Sequence, residues 1–350
     1  MKRHPIEILM NKGAKKKWPV NIHFDLTYKC NERCIHCYVV KQKRKELSLH
    51  EVKQALFQLA DAHGLLLTLS GGEIFTREDV LDILMTTKKL NFRTVILSNG
   101  SLITAYAAKW IKKTNVAEVQ ISIYNADAHI HDTITRSKNS FKQTMKGIGF
   151  LKKEGVRVVL KTPLMRHTFK DYKKIKLFAD KLGIEYLFGP VILPKMNFDK
   201  SLTHLSPNVN QLKKLFLDSS TLKKDLEAIK IRAESYNLKS NLNKPICDGG
   251  FNRCYISPYG DVFPCGTLRI KVGNLRDNTF REIWDHSTAL RDIRGISVKM
   301  MEECLQCGLL AFCIPCPGMG HQGTGNLLKP YKLHCKIALA KKKAIEKNTI

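Results

Sequence analysis

The feature that most limits how this chain can fold is an alternation of strand-like and helix-like stretches repeated six times. Strand-like runs occupy residues 20–27, 65–73, 93–100, 116–124, 156–165 and 184–192. Helical stretches follow each, ending near residue 62 for the first, with later starts near residues 102, 140, 170 and 207. Strands show as short apolar or alternating runs, helices as longer segments with an apolar stripe. Ser48, with Glu51 three residues on, marks the start of the first such helix as a capping box. Alternating elements of these lengths imply a parallel sheet with right-handed crossovers, an α/β fold. Six units are too few to close an eight-stranded barrel.

Composition narrows the possibilities further. With 43% hydrophobic and 26% charged residues, the 350-residue chain has the makings of a packed core, which excludes a fibre or a disordered chain. No apolar run is long enough to span a membrane, and the basic N-terminus lacks the apolar stretch of a signal peptide, so a cytoplasmic protein is expected. Lys and Arg number 59 against 31 Asp and Glu, a net charge of +28 that favours anionic partners. The lysines are spread along the chain, with small clusters at 15–17 and 341–343, and no aromatic RNA-binding motif accompanies them, so a nucleic-acid partner is not favoured. Eleven cysteines, an odd count in a chain without an export signal, read as metal ligands or catalytic thiols, not disulfides.

Cys30, Cys34 and Cys37 form C-x3-C-x2-C just after the first strand. A structural zinc needs four ligands, and only His36 is at hand to complete this set. An iron–sulfur cube fits better: three thiolates hold three irons and leave the fourth open to a substrate. The loop after a first barrel strand is where active sites collect. This arrangement resembles the radical S-adenosylmethionine (SAM) superfamily. The resemblance implies an open, partial (β/α)6 TIM-like barrel over residues 20–225. It implies SAM chelated to the open iron through its amino and carboxylate groups, with Tyr38 lending a main-chain contact to the adenine. Gly71, Gly72 and Glu73 resemble the family's Gly-Gly-Glu segment, which holds the SAM amino group. Ile74 stands where Pro usually follows. Ser98 and Asn99 match a segment near the ribose and adenine. Ser122 matches the fourth-strand serine, although Tyr124 stands where an Asp often follows. Arg136 is the expected partner of the SAM carboxylate, and Lys161 and Thr162 are expected on the substrate side.

The other eight cysteines lie in the last third of the chain. Residues 255–265 read as a hairpin with a Pro-Tyr-Gly-Asp turn. Two C-x2-C pairs follow, but only five residues separate them, too few for an ordinary zinc ribbon. Eight thiolates divide evenly into two four-cysteine centres. The order resembles the SPASM extension of radical SAM enzymes, with Cys316 following Cys313 by two residues where the family has three. The resemblance implies two auxiliary 4Fe-4S clusters. Cys247, Cys254, Cys265 and Cys316 would hold the nearer one, and Cys304, Cys307, Cys313 and Cys335 the outer one. The expected organisation is a basic segment over 1–19, the barrel over 20–225, a helical connection over 226–246, and a cysteine-rich domain over 247–350 ending in a basic helix.

The resemblance implies reductive cleavage of SAM to a 5′-deoxyadenosyl radical, which abstracts hydrogen from a substrate. A peptide or protein side chain is the leading substrate, giving a crosslink, a thioether or an oxidation. A reducing partner such as flavodoxin or ferredoxin is implied, and a separate leader-peptide recognition protein is a further possible partner. A sulfatase-maturase-like oxidase ranks lower, because Gly266 occupies the place of the Asp that family carries after the third cysteine of the cluster domain. Small-molecule or tetrapyrrole chemistry stays open, with a zinc-bearing nucleic-acid-binding protein as the remote alternative. His129 and His131 read as loop or helix-start residues, Trp284 as a packing residue, and Tyr255 and Tyr259 as hairpin core or cluster shields.

Overall fold

The computed structural model describes residues 5–347, the side chains of 219–225 excepted. In chain order the elements begin with α1 (Pro5–Lys16), β1 (Asn21–Thr27), α2 (Leu49–Asp61), β2 (Leu66–Gly71), α3 (Val80–Lys89), β3 (Arg93–Ser98) and α4 (Ala105–Lys113). There follow β4 (Glu118–Ser122), α5 (Ala128–Thr135), α6 (Ser140–Lys153), β5 (Val158–Pro163), α7 (Tyr172–Leu182) and β6 (Glu185–Gly189). Next come α8 (Val209–Leu217), α9 (Ser219–Ser235), α10 (Leu238–Asn241), β7 (Arg253–Ile256), β8 (Asp261–Phe263) and β9 (Gly273–Asn274). The chain ends with α11 (Phe280–His286), α12 (Thr288–Gly295), α13 (Glu302–Leu305), α14 (Pro317–Thr324) and α15 (Lys332–Lys347). No helix among the described residues is long and apolar enough to cross a membrane.

The chain divides into two compact units. One comprises residues up to Thr162 with Leu177–Phe188 and Asp248–Arg294; the other comprises Pro163–Lys176, Gly189–Cys247 and the residues from Gly295 onward. The first unit is built on a sheet in the order β6-β5-β4-β3-β2-β1-β7-β8-β9. Strands β1 to β5 pair in parallel, as the strand–helix repeat requires. In β1 the residues Ile22, Phe24 and Leu26 are fully buried. Period-two alternation therefore puts His23, Asp25 and Thr27 together on the opposite face. In β4 the same split separates buried Val119 and Ile121 from Ser122.

Helix starts follow their caps. Ser48 accepts from Glu51 N, and Glu51 reaches back to Ser48 N, so the expected capping box opens α2. Thr104 accepts from Ala107 N at 3.1 Å and sets α4 to begin at Ala105, three residues beyond the expected start near 102. Between β4 and α6 lies α5, an element the repeat did not announce; Asp127 caps it by accepting from Ile130 N at 3.0 Å.

The hairpin of β7 and β8 forms as expected, antiparallel, with Gly260 in the left-handed region (φ +81°) at its turn. The strand β7 lies parallel to β1, with Ile22 opposite Cys254 and His23 opposite Tyr255. Residues 248–294 thus extend the barrel's own sheet, whereas the sequence reading grouped them with a separate domain from 247. The physical reason is the edge of β1, whose backbone groups would otherwise lack a ladder partner. Trp284 of α11 is buried, stacks on Phe280 at 5.5 Å, and donates to Lys17 O at 2.6 Å.

The second unit has two apolar clusters. Leu212 and Phe216 of α8 pack with Ile337, Ala340 and Ala344 of α15. Ile246, Ile296, Val298, Met301, Cys304 and Leu310 form the other, beside which Cys247 packs.

Candidate active site

The cysteine loop is fixed by backbone before any ligand is considered. Gly72 N donates to Thr27 O at 2.7 Å, and Glu73 N donates to Lys29 O at 2.8 Å. The two glycines make this pairing possible. A Cβ on Gly71 would lie 2.1 Å from Thr27 O, and one on Gly72 would lie 2.2 Å from Lys29 O and 3.1 Å from the Cys30 Cβ. The close approach they permit is to the cysteine loop itself, where the sequence reading placed a ligand.

Glu73 takes a different role from the one expected. It is fully buried, and both its oxygens are occupied. Phe75 N donates to Oε1 at 3.1 Å, Ser98 Oγ reaches both oxygens at 2.9 Å, and Asn99 N donates to Oε2 at 2.7 Å. Burial still pushes its carboxyl above the usual range. The side chain therefore clamps the end of β3 to the end of β2 and does not stand open to an ammonium group. Asn99 carries the clamp onward: its Nδ2 donates to Asn31 Oδ1 at 2.9 Å, and Asn31 Nδ2 donates to Ser101 Oγ at 2.9 Å. Gly71, Gly72, Glu73, Ser98 and Asn99 are thus brought together around the cysteine loop.

The far side of the loop is held by α5. Arg33 N donates to Thr135 O and Ile35 N to Ile134 O, both at 3.0 Å. This places Arg136, exposed and left-handed at the α5 C-terminus (φ +52°), next to the loop. Cys30 and Cys34 are half-buried, Cys37 is exposed, and none of the eleven cysteines forms a disulfide. Burial pushes the Cys30 thiol up to about 11 and Cys34 higher, and the neighbouring cysteines of the loop add to both shifts. The Cys34 thiol sits 3.5 Å from Glu32 Oε2 and 3.7 Å from the Tyr124 hydroxyl. Tyr124, the residue in the place of the family's Asp, is thereby a hydrogen-bonding neighbour of a thiol, and Ser122 bonds to it in turn. Behind it, His131 is buried and its Nδ1 accepts from Tyr124 N at 3.3 Å, a core role that burial enforces by lowering its pKa to about 4.

One group of residues went unnoticed in the sequence. Asp25 is fully buried and bonded on both oxygens. His23 Nε2 lies 3.0 Å from its Oδ1, and the Tyr255 hydroxyl donates to its Oδ2 at 2.6 Å. Tyr28 bonds Tyr255, hydroxyl to hydroxyl, at 2.6 Å, and the Arg269 guanidinium covers the Tyr255 ring at 4.4 Å. Tyr38 is close enough to Asp25 and Arg269 for its pKa to feel both, though burial raises it most. The polar alternation in residues 21–27 was the available signal. Tyr255 becomes a neighbour only through the pairing of β7 with β1.

In the second unit, Cys304, Cys307, Cys313, Cys316 and Cys335 line one small cavity with His334 and Tyr331. Cys304 and Cys313 both feel Cys335, after burial, which pushes Cys313 up to about 11. The four cysteines expected for the outer cluster are thus gathered, and Cys316 lies beside them. Of the set expected for the nearer cluster, Cys254 and Cys265 belong to the first unit and Cys247 and Cys316 to the second. Among the described residues, no three His, Cys, Asp or Glu side chains close on a point suited to a single metal ion. Grouped thiols without disulfides suit iron–sulfur centres, and metal binding removes the protons that burial holds on them.

The family model for the radical SAM superfamily matches residues 25–198, and that for the SPASM iron–sulfur cluster-binding domain matches residues 247–308. The chain belongs to the radical SAM superfamily and carries a SPASM domain; it is an enzyme that uses SAM and 4Fe-4S clusters. Among curated proteins it is similar to an AdoMet-dependent heme synthase of Methanosarcina barkeri, 26% identical over 342 residues, covering 90% of this chain and 97% of that one. It is also similar to the antilisterial bacteriocin subtilosin biosynthesis protein AlbA of Bacillus subtilis, 24% identical over 314 residues, covering 87% of this chain and 69% of that one. Its fold is similar to that of anSMEcpe bound to AdoMet and the Cp18Cys peptide, with a TM-score of 0.69 and 16% identity, covering 94% of this chain and 97% of that one.

Proposed function

We propose that the hydrogen atom is taken from a peptide or protein side chain. The class chemistry is reductive cleavage of SAM and hydrogen-atom abstraction, supplied by the cluster and SAM when bound. The chain's own part is positioning: Gly72, Glu73, Asn99 and α5 hold the cysteine loop rigid while Tyr38, Ser98, Ser122 and Arg136 stand around it as SAM contacts. Cys30, Cys34 and Cys37 are assigned to the SAM cluster, and the eight later cysteines to two auxiliary clusters. The observation that favours a peptide is the similarity to AlbA, named for bacteriocin biosynthesis. A second reading, a tetrapyrrole, is favoured by the similarity to heme synthase along nearly the whole of both chains.

For the electron, an acidic donor such as flavodoxin or ferredoxin suits the chain's net charge of +28. Such a donor implies a cytoplasmic setting, and a separate leader-peptide recognition protein would present the substrate. The deciding experiment is turnover of anoxically reconstituted enzyme with SAM and deuterated candidate substrates. Deuterium in 5′-deoxyadenosine from a peptide supports the proposal. Deuterium only from a side-chain carbon of a porphyrin replaces it with the second reading.

A further inference from the structure

The polar cluster around Asp25 has one side that the protein does not close. Tyr255 pairs in register with His23 and so shares its face of the sheet. That face is the one away from α2: Ile22, on the other face, lies where a Cβ on Gly64 would strike, and the same Cβ would meet Leu59 O of α2. Arg269, in the loop between β8 and β9, therefore covers an inward-facing ring. Its guanidinium carbon lies 4.4 Å from the Tyr255 ring centroid and 5.9 Å from that of Phe263, and the two rings are themselves 5.6 Å apart. Two rings in contact thus fix where the cation sits.

The cation is held there without an acid. Arg44, Arg77 and Arg276 in the same unit each close on a carboxylate, those of Asp261, Asp79 and Glu51. Arg269 does not: Asp25, the carboxylate of the cluster, gives Oδ1 to His23 and Oδ2 to Tyr255. Among the described residues Tyr255 is the only hydrogen-bond partner of the guanidinium, so most of its five donors lack a protein acceptor. None of its nitrogens is a buried orphan, so solvent reaches those left over. Tyr38 is in the same state. Its hydroxyl feels the guanidinium charge, and no hydrogen bond reaches it among the described residues. Tyr38 follows Cys37, and Arg269 lies four residues beyond Cys265, so both donors come from segments that carry expected cluster ligands. A planar fork with a hydroxyl beside it suits a carboxylate, which takes two parallel N–H bonds and has lone pairs to spare. Resting on the reading of the barrel interior as the place where substrate meets SAM, we propose that Arg269 and the Tyr38 hydroxyl form a carboxylate-binding site for the substrate. A peptide supplies that group from Asp, Glu or its C-terminus, and a porphyrin from its acid side chains.

SAM also bears a carboxylate, so the test separates the sources. In holoenzyme, the rate at which phenylglyoxal modifies Arg269 is read by peptide mass spectrometry, with and without SAM. Two probe pairs are then added to SAM-loaded enzyme: a glutamate tripeptide blocked at both ends against its glutamine counterpart, and a porphyrin carboxylic acid against its methyl ester. One acid or both should slow modification about fivefold or more while the neutral control does not, and the acid that does so names the source. Equal rates within both pairs would overturn the proposal, as would an Arg269 that the reagent never reaches or that SAM alone protects. In a second arm, Arg269→Gln should weaken calorimetric binding of the protecting acid about tenfold, and Arg269→Lys should recover only part, because a point charge lacks the fork. Tyr38→Phe leaves the packing of Arg269 on Tyr255 in place and should weaken binding about threefold. Affinity for SAM should stay at the wild-type value in all three variants. Wild-type affinity for the acid in Tyr38→Phe would overturn the paired site, and weakened SAM affinity would assign it to the cofactor and sink the idea. Neither arm uses turnover, so a failure to find deuterium transfer from any peptide or porphyrin would leave this result standing on its own.

Discussion

Gly72 shows how one missing methyl group can decide whether a cluster loop forms. A Cβ there would sit 2.2 Å from Lys29 O, a backbone atom that cannot swing aside as a side-chain end would. Gly72→Ala should therefore push the cysteine loop off β2, at about 1–3 kcal/mol of overpacking strain. The check is iron content after reconstitution, expected to fall by about one cluster's worth while the later cysteines still load. Glu73 makes the complementary case. Glu73→Ala would leave the Phe75 and Asn99 amides and the Ser98 hydroxyl without their acceptor in a fully buried place. Unpaired donors cost about 1–3 kcal/mol each, so the variant should melt several degrees lower and bind SAM poorly in calorimetry. The sequence shows the Gly-Gly-Glu segment but not this use of it, because the three donors come partly from a strand 25 residues away whose position depends on the fold.

At the scale of elements, β1 to β6 and the α2 cap were readable because each is written locally, in apolar alternation or in a Ser-x-x-Glu pattern. The helix α5 was missed because its eight residues, Ala128–Thr135, carry two histidines and two threonines and show no long stripe. The docking of β7 on β1 was unreadable for another reason: Asn21 and its partner Arg253 lie 232 positions apart (253 − 21), and nothing local names the neighbour across them. The cap of α2 carries a prediction at this scale. Glu51 accepts from Ser48 N at 2.8 Å and from Arg276 Nε at 2.6 Å, joining α2 to the segment after β9. Arg276 first, then the Ser48 bonds, lower its pKa from the usual 4.5 to about 2. A carboxyl with a depressed native pKa stabilises the fold fully above its unfolded value, and that stabilisation fades as pH falls through the native one. Wild type should melt a few degrees above Glu51→Gln at pH 7. The gap should narrow below about pH 4.5, nearly close around 2, and shrink with added salt, because the pair is partly exposed. A gap that held constant to low pH would mean the pair contributes nothing through its charge.

For the whole molecule, the cysteines divide the labour more clearly than the domain limits do. Three stand on one loop of the first unit, five line one cavity of the second, and the remaining three are Cys247, Cys254 and Cys265. Spacing made the first trio legible, since eight residues of chain suffice to gather them. The later eight had to be sorted by order along the chain, and the cavity that brings Cys316 beside Cys304, Cys307, Cys313 and Cys335 is a product of packing around α15. If the trio alone holds the SAM cluster, replacing Cys30, Cys34 and Cys37 together by Ala should lower the iron count from about twelve to about eight per chain. The protein should stay brown, because the auxiliary thiols are untouched, and yet form no 5′-deoxyadenosine under a strong reductant. The separation follows from geometry: backbone bonds to Thr27, Lys29, Ile134 and Thr135 fix the trio's loop, and none of the eight later cysteines takes part in them. Loss of all iron from the triple variant would show that the auxiliary centres depend on the first, and the division of the cysteines would have to be redrawn.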